Sequence, residues 1–374
     1  MNKAEILEVK KQFTPDRCTI DHICGCYVDY EKNKRLTFRR AFGTLPEEEM
    51  FKYLDILSHT LTGTIGKNLI PLEFPLEQEE AGGTQEFLLR VRDSHLNDDE
   101  LLNELYDRII ANYEEPENYY IIVVHAVYDV PGRTKDGLEM EDASDEVYDH
   151  FMVSICPVKL SKAGLSYKET ENVIEERFRD WVVEGPVKGF LFPAFIDRTA
   201  DIHHMLYYSK KPEDIQPVFI EALFGGLPPL SAVEQRELFD AVVETAVGED
   251  GSYSMVRDIH EHLADRISDH ADDEEPYALD KSEVRELLLS SGVPEERLEQ
   301  ADRHFKEIAG TDDAQLLASN IAHTRGFEVE TPDVVIKVKP DRSDLVETRV
   351  IDGRPCIVIE VNGRVEVNGV SVRA

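Results

Sequence analysis

The residues best suited to chemistry lie in two places. The first is a short segment in which Cys18, His22, Cys24 and Cys26 fall at even spacing. Thiolate and imidazole are zinc ligands, and even spacing along a straight strand turns side chains to one face. Distance works against a shared ion. At about 3.3 Å per residue, Cys18 and Cys26 stand about 26 Å apart and His22 and Cys26 about 13 Å. Bonds to zinc are roughly 2.0–2.3 Å long. A bulge at Gly25 would bring three of the four together. Otherwise the cysteines serve as small apolar residues of a buried strand.

The second place holds Asp197, Arg198, Asp201, His203 and His204, between two apolar runs. Carboxylates with histidines can bind a metal or move protons. A solvated hairpin loop accounts for them equally, although loops carry function more often than cores do. Three other motifs fail on inspection. Gly63-Thr-Ile-Gly66-Lys67-Asn68 lacks the first glycine and the final Ser or Thr of a phosphate loop, and reads as a helix-ending turn. His260-Glu261-His262 has a spacing of two, where a metalloprotease helix needs four. The helices flanking Ser290-Ser291-Gly292-Val293 have the outline of a helix-turn-helix. The second carries Glu295, Glu296, Glu299, Asp302 and Glu307, an acidic face unsuited to phosphates. No nucleophile elbow and no dinucleotide-binding glycine pattern occurs.

These residues belong to a chain of 374 with a formal net charge of −35. Such a charge disfavours direct nucleic-acid binding and leaves two uses. One is solubility; the other is an acidic surface that meets a basic protein partner. The length suggests two or three domains. The five cysteines are odd in number, so reduced thiols are expected. No apolar run is long enough for a membrane span, and the N-terminal residues do not read as a secretory signal. A cytoplasmic location is expected.

The elements that must position these groups are of mixed type. A short helix is expected over Lys3–Phe13, a hairpin over Thr19–Phe42, and a helix after Thr44, with Pro46 and Glu47 to Glu49 at its start. Strands are expected at Asn68–Phe74 and Gln85–Val91, and a helix from Asn97 through Ile110. Tyr119–Tyr128 is almost wholly apolar and β-branched, broken only by His125, as a strand covered on both faces reads. Then come a polar loop over Pro131–Asp145, a strand at Tyr148–Val158, a helix at Lys168–Trp181 and strands at Gly189–Phe195 and Met205–Ser209. Helices are expected from Ser231, over Ser252–Ile267, and around Ser282–Leu289 and Pro294–Ile308, with an exposed acidic stretch at Asp269–Glu275. From Phe327 to Val372, Asp352-Gly353, Asn362-Gly363 and Asn368-Gly369 mark the turns of an antiparallel meander.

The expected fold is therefore α+β (mixed α/β). An N-terminal sheet-plus-helices domain spans 1–228, a helical segment 229–326, and a β-meander module 327–374.

Three stretches carry a family resemblance. They are Cys18-Thr-Ile-Asp-His-Ile-Cys-Gly-Cys-Tyr-Val-Asp29; Gly189-Phe-Leu-Phe-Pro-Ala-Phe195 with Asp197-Arg198; and Thr331-Pro-Asp-Val-Val-Ile-Lys-Val with Arg342-Ser-Asp-Leu-Val-Glu-Thr-Arg349. In this order they resemble the bacterial domain-of-unknown-function family 4317 over nearly the whole chain. The resemblance implies a cytoplasmic bacterial protein and supplies no catalytic residues. The residues leave three functional readings open. The first is a non-enzymatic binding or regulatory protein. The second is a metal-dependent hydrolase using the Asp197–His204 loop, and the third an acidic mimic of nucleic acid that binds a basic protein.

Overall fold

The structure of the protein, a computed structural model, describes residues 1–133, 139–248, 251–271, 273, 275–312, 314–322, 327–361, 363–367 and 370–372. Two compact units divide at Ser231/Ala232.

The first unit opens with α1 (Lys3–Lys10), β1 (Ile20–Val28), β2 (Lys34–Ala41), α2 (Glu47–Thr60) and β3 (Leu69–Glu73). It continues with α3 (Thr84–Asp93), α4 (Asp99–Asn112), β4 (Tyr119–Arg133) and β5 (Glu139–Leu160). The short strands β6 (Leu165–Lys168), β7 (Val173–Glu176) and β8 (Trp181–Val183) follow. Last come β9 (Lys188–Phe192), β10 (Ala194–Ile196), β11 (Thr199–Asp201), β12 (His204–Ser209) and α5 (Pro217–Phe224). One antiparallel sheet, in the order β2-β1-β4-β5-β9-β12-β3 with β8 against the far end of β5, organises them.

Alternation along the central strands builds two cores. Ile121 and Val123 of β4, with Phe151, Val153 and Ile155 of β5, pack against Leu88 and Val91 of α3, Leu105 and Ile109 of α4, and Phe219 of α5. Tyr120, Ile122 and Val124, with Met152, pack on the other face against Ile6 and Val9 of α1 and Leu54 and Leu57 of α2. The sheet is thus the middle of three layers. Each fully buried aliphatic side chain contributes about 1.5–3 kcal/mol. The doubly covered strand expected at Tyr119–Tyr128 is the first part of β4, which lies between β1 and β5.

Local chemistry sets the ends. Asp98 caps α4, its carboxylate accepting from the backbone of Glu100 and Leu101 at 2.9 and 3.1 Å. Asp98→Ala is expected to cost about 1 kcal/mol in urea unfolding, and Asp98→Asn much less. Thr44 does not cap α2. Its hydroxyl bonds the Ala41 carbonyl, and Pro46 takes the cap position ahead of Glu47, Glu48 and Glu49. Gly63–Asn68 is the helix-ending turn expected, with the Asn68 amide donating to the carbonyls of Ser209 and Lys210.

Three expectations are corrected. Gln85–Val91 lies in a helix, α3. Its apolar run is too short for periodicity to decide, and Phe87, Leu88 and Val91 meet the core at helical spacing. Lys168–Trp181 is not a helix. Lys168 pairs with Val173 across a four-residue turn in which Asn172 adopts φ 51°, and the β-branched Val173 and Ile174 extend the ladder. Pro131–Asp145 continues the β4–β5 hairpin on both sides, through Arg133 and from Glu139. Residues 134–138 lie outside those described. Helix α5 went unread, although Pro217 at its first turn is a helix-start signal.

The second unit holds α6 (Ala232–Val247), α7 (Tyr253–Asp269), β13 (Ala278–Leu279), α8 (Lys281–Ser290), α9 (Glu295–Ala309), β14 (Leu316–Leu317) and α10 (Ala318–Ile321). The strands β15 (Phe327–Thr331), β16 (Val334–Val338), β17 (Val346–Ile351), β18 (Arg354–Ile359), β19 (Val365–Val367) and β20 (Val370–Val372) complete it. The antiparallel tail takes the form of three two-stranded ladders. Asp352-Gly353 turns β17 into β18 with both φ angles positive, as a two-residue hairpin turn requires. Asn362 and Asn368-Gly369 lie outside the described residues, as do 272 and 274 of the acidic stretch. In the helix pair compared above with a DNA-reading motif, Leu298, Ala301 and Phe305 of α9 are buried. His262 of α7 bonds the Ser291 hydroxyl at 2.9 Å, and His260 lies against the rings of Phe239 and Phe327.

Candidate functional site

On β1, alternation breaks at one residue. Ile20 pairs with Ala126 and His22 with His125, which leaves Asp21 without an opposite number in a β-bulge. A bulge turns an extra side chain out of register. Cys18, Ile20 and Ile23 all pack on the α1–α2 core, whereas Cys24 and Cys26 pack on the α3–α4 core. The parity of the strand therefore changes at Asp21. This corrects the expectation that Cys18, His22, Cys24 and Cys26 share a face. Cys24 and Cys26 are wholly buried, and burial pushes both thiols up to about 12.

The bulge delivers the Asp21 carboxylate to His125 of β4. His125 Nδ1 stands 2.9 and 3.1 Å from the two Asp21 oxygens, and Nε2 stands 2.7 Å from Oδ1 of Asp149 on β5. Three adjacent strands thus supply an Asp–His–Asp clamp. Carboxylates only accept, so both ring nitrogens of His125 donate and the ring is an imidazolium. Its side chain is fully buried, while those of Asp21 and Asp149 are 39% and 31% exposed. Burial opposes the imidazolium charge, but the bonds to Asp149 and Asp21 outweigh it and raise the His125 pKa to about 9. For both carboxylates burial pushes upward and His125 pulls down further, so each lies below its ordinary value.

His95 closes the cluster from the α3–α4 turn. It and Leu96 both adopt left-handed backbone, φ 50° and 57°, a rare conformation for two successive non-glycine residues. Burial of Leu96 and an Arg39 bond to the Leu96 carbonyl at 3.2 Å hold that turn. The His95 ring stacks on His125 at 4.3 Å between centroids, with Nε2 3.6 Å from Asp149 Oδ2. His22 Nδ1, which has no hydrogen bond, sits 3.5 Å from Asp21 Oδ2. Of the four zinc candidates read from the sequence, His22 alone is placed beside this cluster.

On the opposite face, His150 is buried between the strands. Its Nδ1 donates to the Tyr148 carbonyl at 3.2 Å, its ring stacks on Tyr148 at 4.2 Å, and Nε2 is unpartnered. Burial drives its pKa down to about 4, against the pull of the Tyr148 carbonyl.

The second sequence candidate is a β-hairpin. Asp197 and Arg198, φ 51° and 59°, are the turn between β10 and β11. Arg198 pairs with Glu8 at 2.9 Å, and the Asp197 amide donates to Glu5 at 2.7 Å. Asp201 Oδ2 meets His204 Nδ1 at 2.9 Å, while His203 Nδ1 turns to Glu79 at 2.6 Å. The loop therefore brings Asp201 and His204 together, while Asp197 and Arg198 are tied to α1 and His203 to Glu79.

Of the cluster's residues, His125 had a sequence signal: the one imidazole interrupting an otherwise apolar, doubly covered strand. Asp21, His95 and Asp149 had none, because a bulge and a left-handed turn place two of them.

Fold and site together define the first unit as a three-layer arrangement, an antiparallel sheet between helices, with an Asp–His–Asp–His cluster carried by β1, β4, β5 and the α3–α4 turn. The Domain of unknown function (DUF4317) family matches residues 1–370, and the chain belongs to that family. No curated protein and no solved structure matches the chain. No helix among the described residues is long and apolar enough to cross a membrane.

Proposed function

We propose that the first unit is a hydrolytic enzyme whose centre is the cluster of Asp21, His95, His125 and Asp149. The supporting observation is convergence. Four ionisable side chains from three strands and a turn meet at one point, two of them delivered by irregular backbone, on a face otherwise filled with apolar residues. Irregular backbone of this kind gathers at functional sites. The half-exposed Asp21, His95 and Asp149 border solvent, where they can polarise a water, and the buried His125 fixes both carboxylates. The test is turnover of a panel of nitrophenyl carboxylic and phosphate esters by the parent chain and by His95→Asn. A loss of about 10²-fold or more is expected in the variant. Equal turnover by both chains, or none with any ester, ends the hydrolase reading.

A second reading is a binding or regulatory protein. It is supported by exposed apolar side chains in one stretch: Leu165, Tyr167, Ile174, Phe178 and Trp181 are 77, 59, 69, 80 and 57% exposed. An isolated two-stranded hairpin such as β6–β7 is marginal in water. Its test is purification with the tagged chain of a protein partner that survives moderate salt. Loss of that partner on Phe178→Ser with Trp181→Ser supports the reading, and its retention counts against it.

A further inference from the structure

We propose that Asp21, His95 and His125 hold a divalent transition-metal ion of the zinc class, with Asp149 orienting His125. The inference deepens the hydrolase reading and rests on the same cluster. One ligand atom from each of the three residues lies within 4.8 Å of the others, the one group of three or more such donors among the described residues. Zinc bonds of roughly 2.0–2.2 Å to nitrogen and carboxylate oxygen suit donors gathered that closely.

The donor set is informative. Two imidazoles and a carboxylate suit zinc and its first-row neighbours. Three protein ligands leave a coordination place for water, the pattern of catalytic zinc sites. A ligating histidine ordinarily donates its other ring N–H to a carboxylate. Here Asp21 faces Nδ1 of His125, and Asp149 accepts from Nε2 at 2.7 Å. An ion beside Asp21 takes the place of the proton on Nδ1, which is released on binding, and leaves the orienting bond from Nε2 intact.

Access and charge agree. His125 forms the buried floor, while His95 and Asp21, 46% and 39% exposed, form the open side. The chain's net charge of −35 concentrates cations around it. A purely structural cluster would need no second imidazole stacked over the first on a left-handed turn. The ion would supply what the cluster lacks as a hydrolytic centre, a water acidified near neutral pH.

The test uses the full chain, stripped with a chelator and titrated with Co²⁺ and then Zn²⁺. Expected are one ion per chain, visible Co²⁺ absorption with intensity above that of the aquo ion, and displacement by Zn²⁺. Asp21→Asn and His95→Asn, both at half-exposed positions, should remove binding, and Asp149→Asn should weaken it about 10–100-fold. Asp201→Ala with His203→Ala should bind as the parent does. Histidine-ring NMR of the parent provides a readout independent of variant folding: Zn²⁺ should move the signals of the two ligating rings. Absence of stoichiometric binding, or binding indifferent to Asp21→Asn and His95→Asn, overturns the proposal. Metal binding without ester turnover would sink the hydrolase reading and leave the site. Turnover lost in His95→Asn but untouched by chelator would do the reverse.

Discussion

Unfolding of the metal-free chain against pH is expected to show greatest stability near pH 6.5, falling on both sides for two different histidines. His150 sets the acid side. Its folded pKa of about 4 lies below the ordinary 6.5. The unfolded chain therefore binds the extra proton first. The stability held by the neutral ring is complete above pH 6.5 and is lost as pH falls toward 4. A shift of that size corresponds to about 3 kcal/mol. His125 sets the alkaline side. Its folded pKa of about 9 lies above 6.5, so its contribution is complete below pH 6.5 and is lost as pH rises through 9. Its carboxylate partners are partly exposed, and screening reduces this contribution to about 2 kcal/mol. Urea denaturation midpoints from pH 4.5 to 9.5 check both limbs. His150→Phe should flatten the acid limb and His125→Gln the alkaline one. An acid limb that persists in His150→Phe would place its origin elsewhere.

Gly189→Ala is expected to be among the most destabilising single-methyl changes in the chain, at about 3 kcal/mol. Gly189 lies in β9, in the interior of the sheet between β5 and β12. A Cβ there would fall inside van der Waals contact of the Val153 carbonyl oxygen and 2.6 Å from Thr60 Cγ2. Val153 belongs to the paired backbone of β5, which cannot retreat without breaking its ladder. Thr60 is held by a buried hydroxyl bond to Ser154 at 2.7 Å. The control is Gly43→Ala, where nothing lies within 4 Å of the added carbon, and a change within about 0.5 kcal/mol is expected. Similar urea midpoints for the two variants would mean that β9 and α2 can separate at no cost.

The architecture was legible where patterns were long. Tyr119–Tyr128 declared a doubly covered strand because both faces of β4 are buried, and Asp352-Gly353 declared a hairpin because the turn needs two positive φ angles. It failed where runs were short. Phe87 to Val91 satisfies strand and helix alike until tertiary contact decides. Lys168–Trp181 has enough Glu and Arg to suggest a helix, yet Val173 and Ile174 pair across the turn. The candidate site was nearly invisible for a different reason. Period-two reasoning assigned Cys18, His22, Cys24 and Cys26 to one face, and a single bulge at Asp21 broke that parity. The irregularity that spoiled the reading is the one that brings Asp21 to His125. His95 reaches the cluster through two consecutive left-handed residues, a conformation that its sequence neighbours Ser94 and Leu96 do not announce.

The exposed strand β8 has an optical consequence. Trp181 is the chain's one tryptophan, and 57% of it is in solvent. Emission excited at the red edge of the absorption band therefore comes from one indole in a watery setting, at a known position beside Leu160 of β5. Neutral acrylamide should quench it more readily than iodide, which the net charge of −35 repels. Any molecule that covers this strand will shift the emission to the blue and shield it from acrylamide, so the native chain reports its own occupancy without a label.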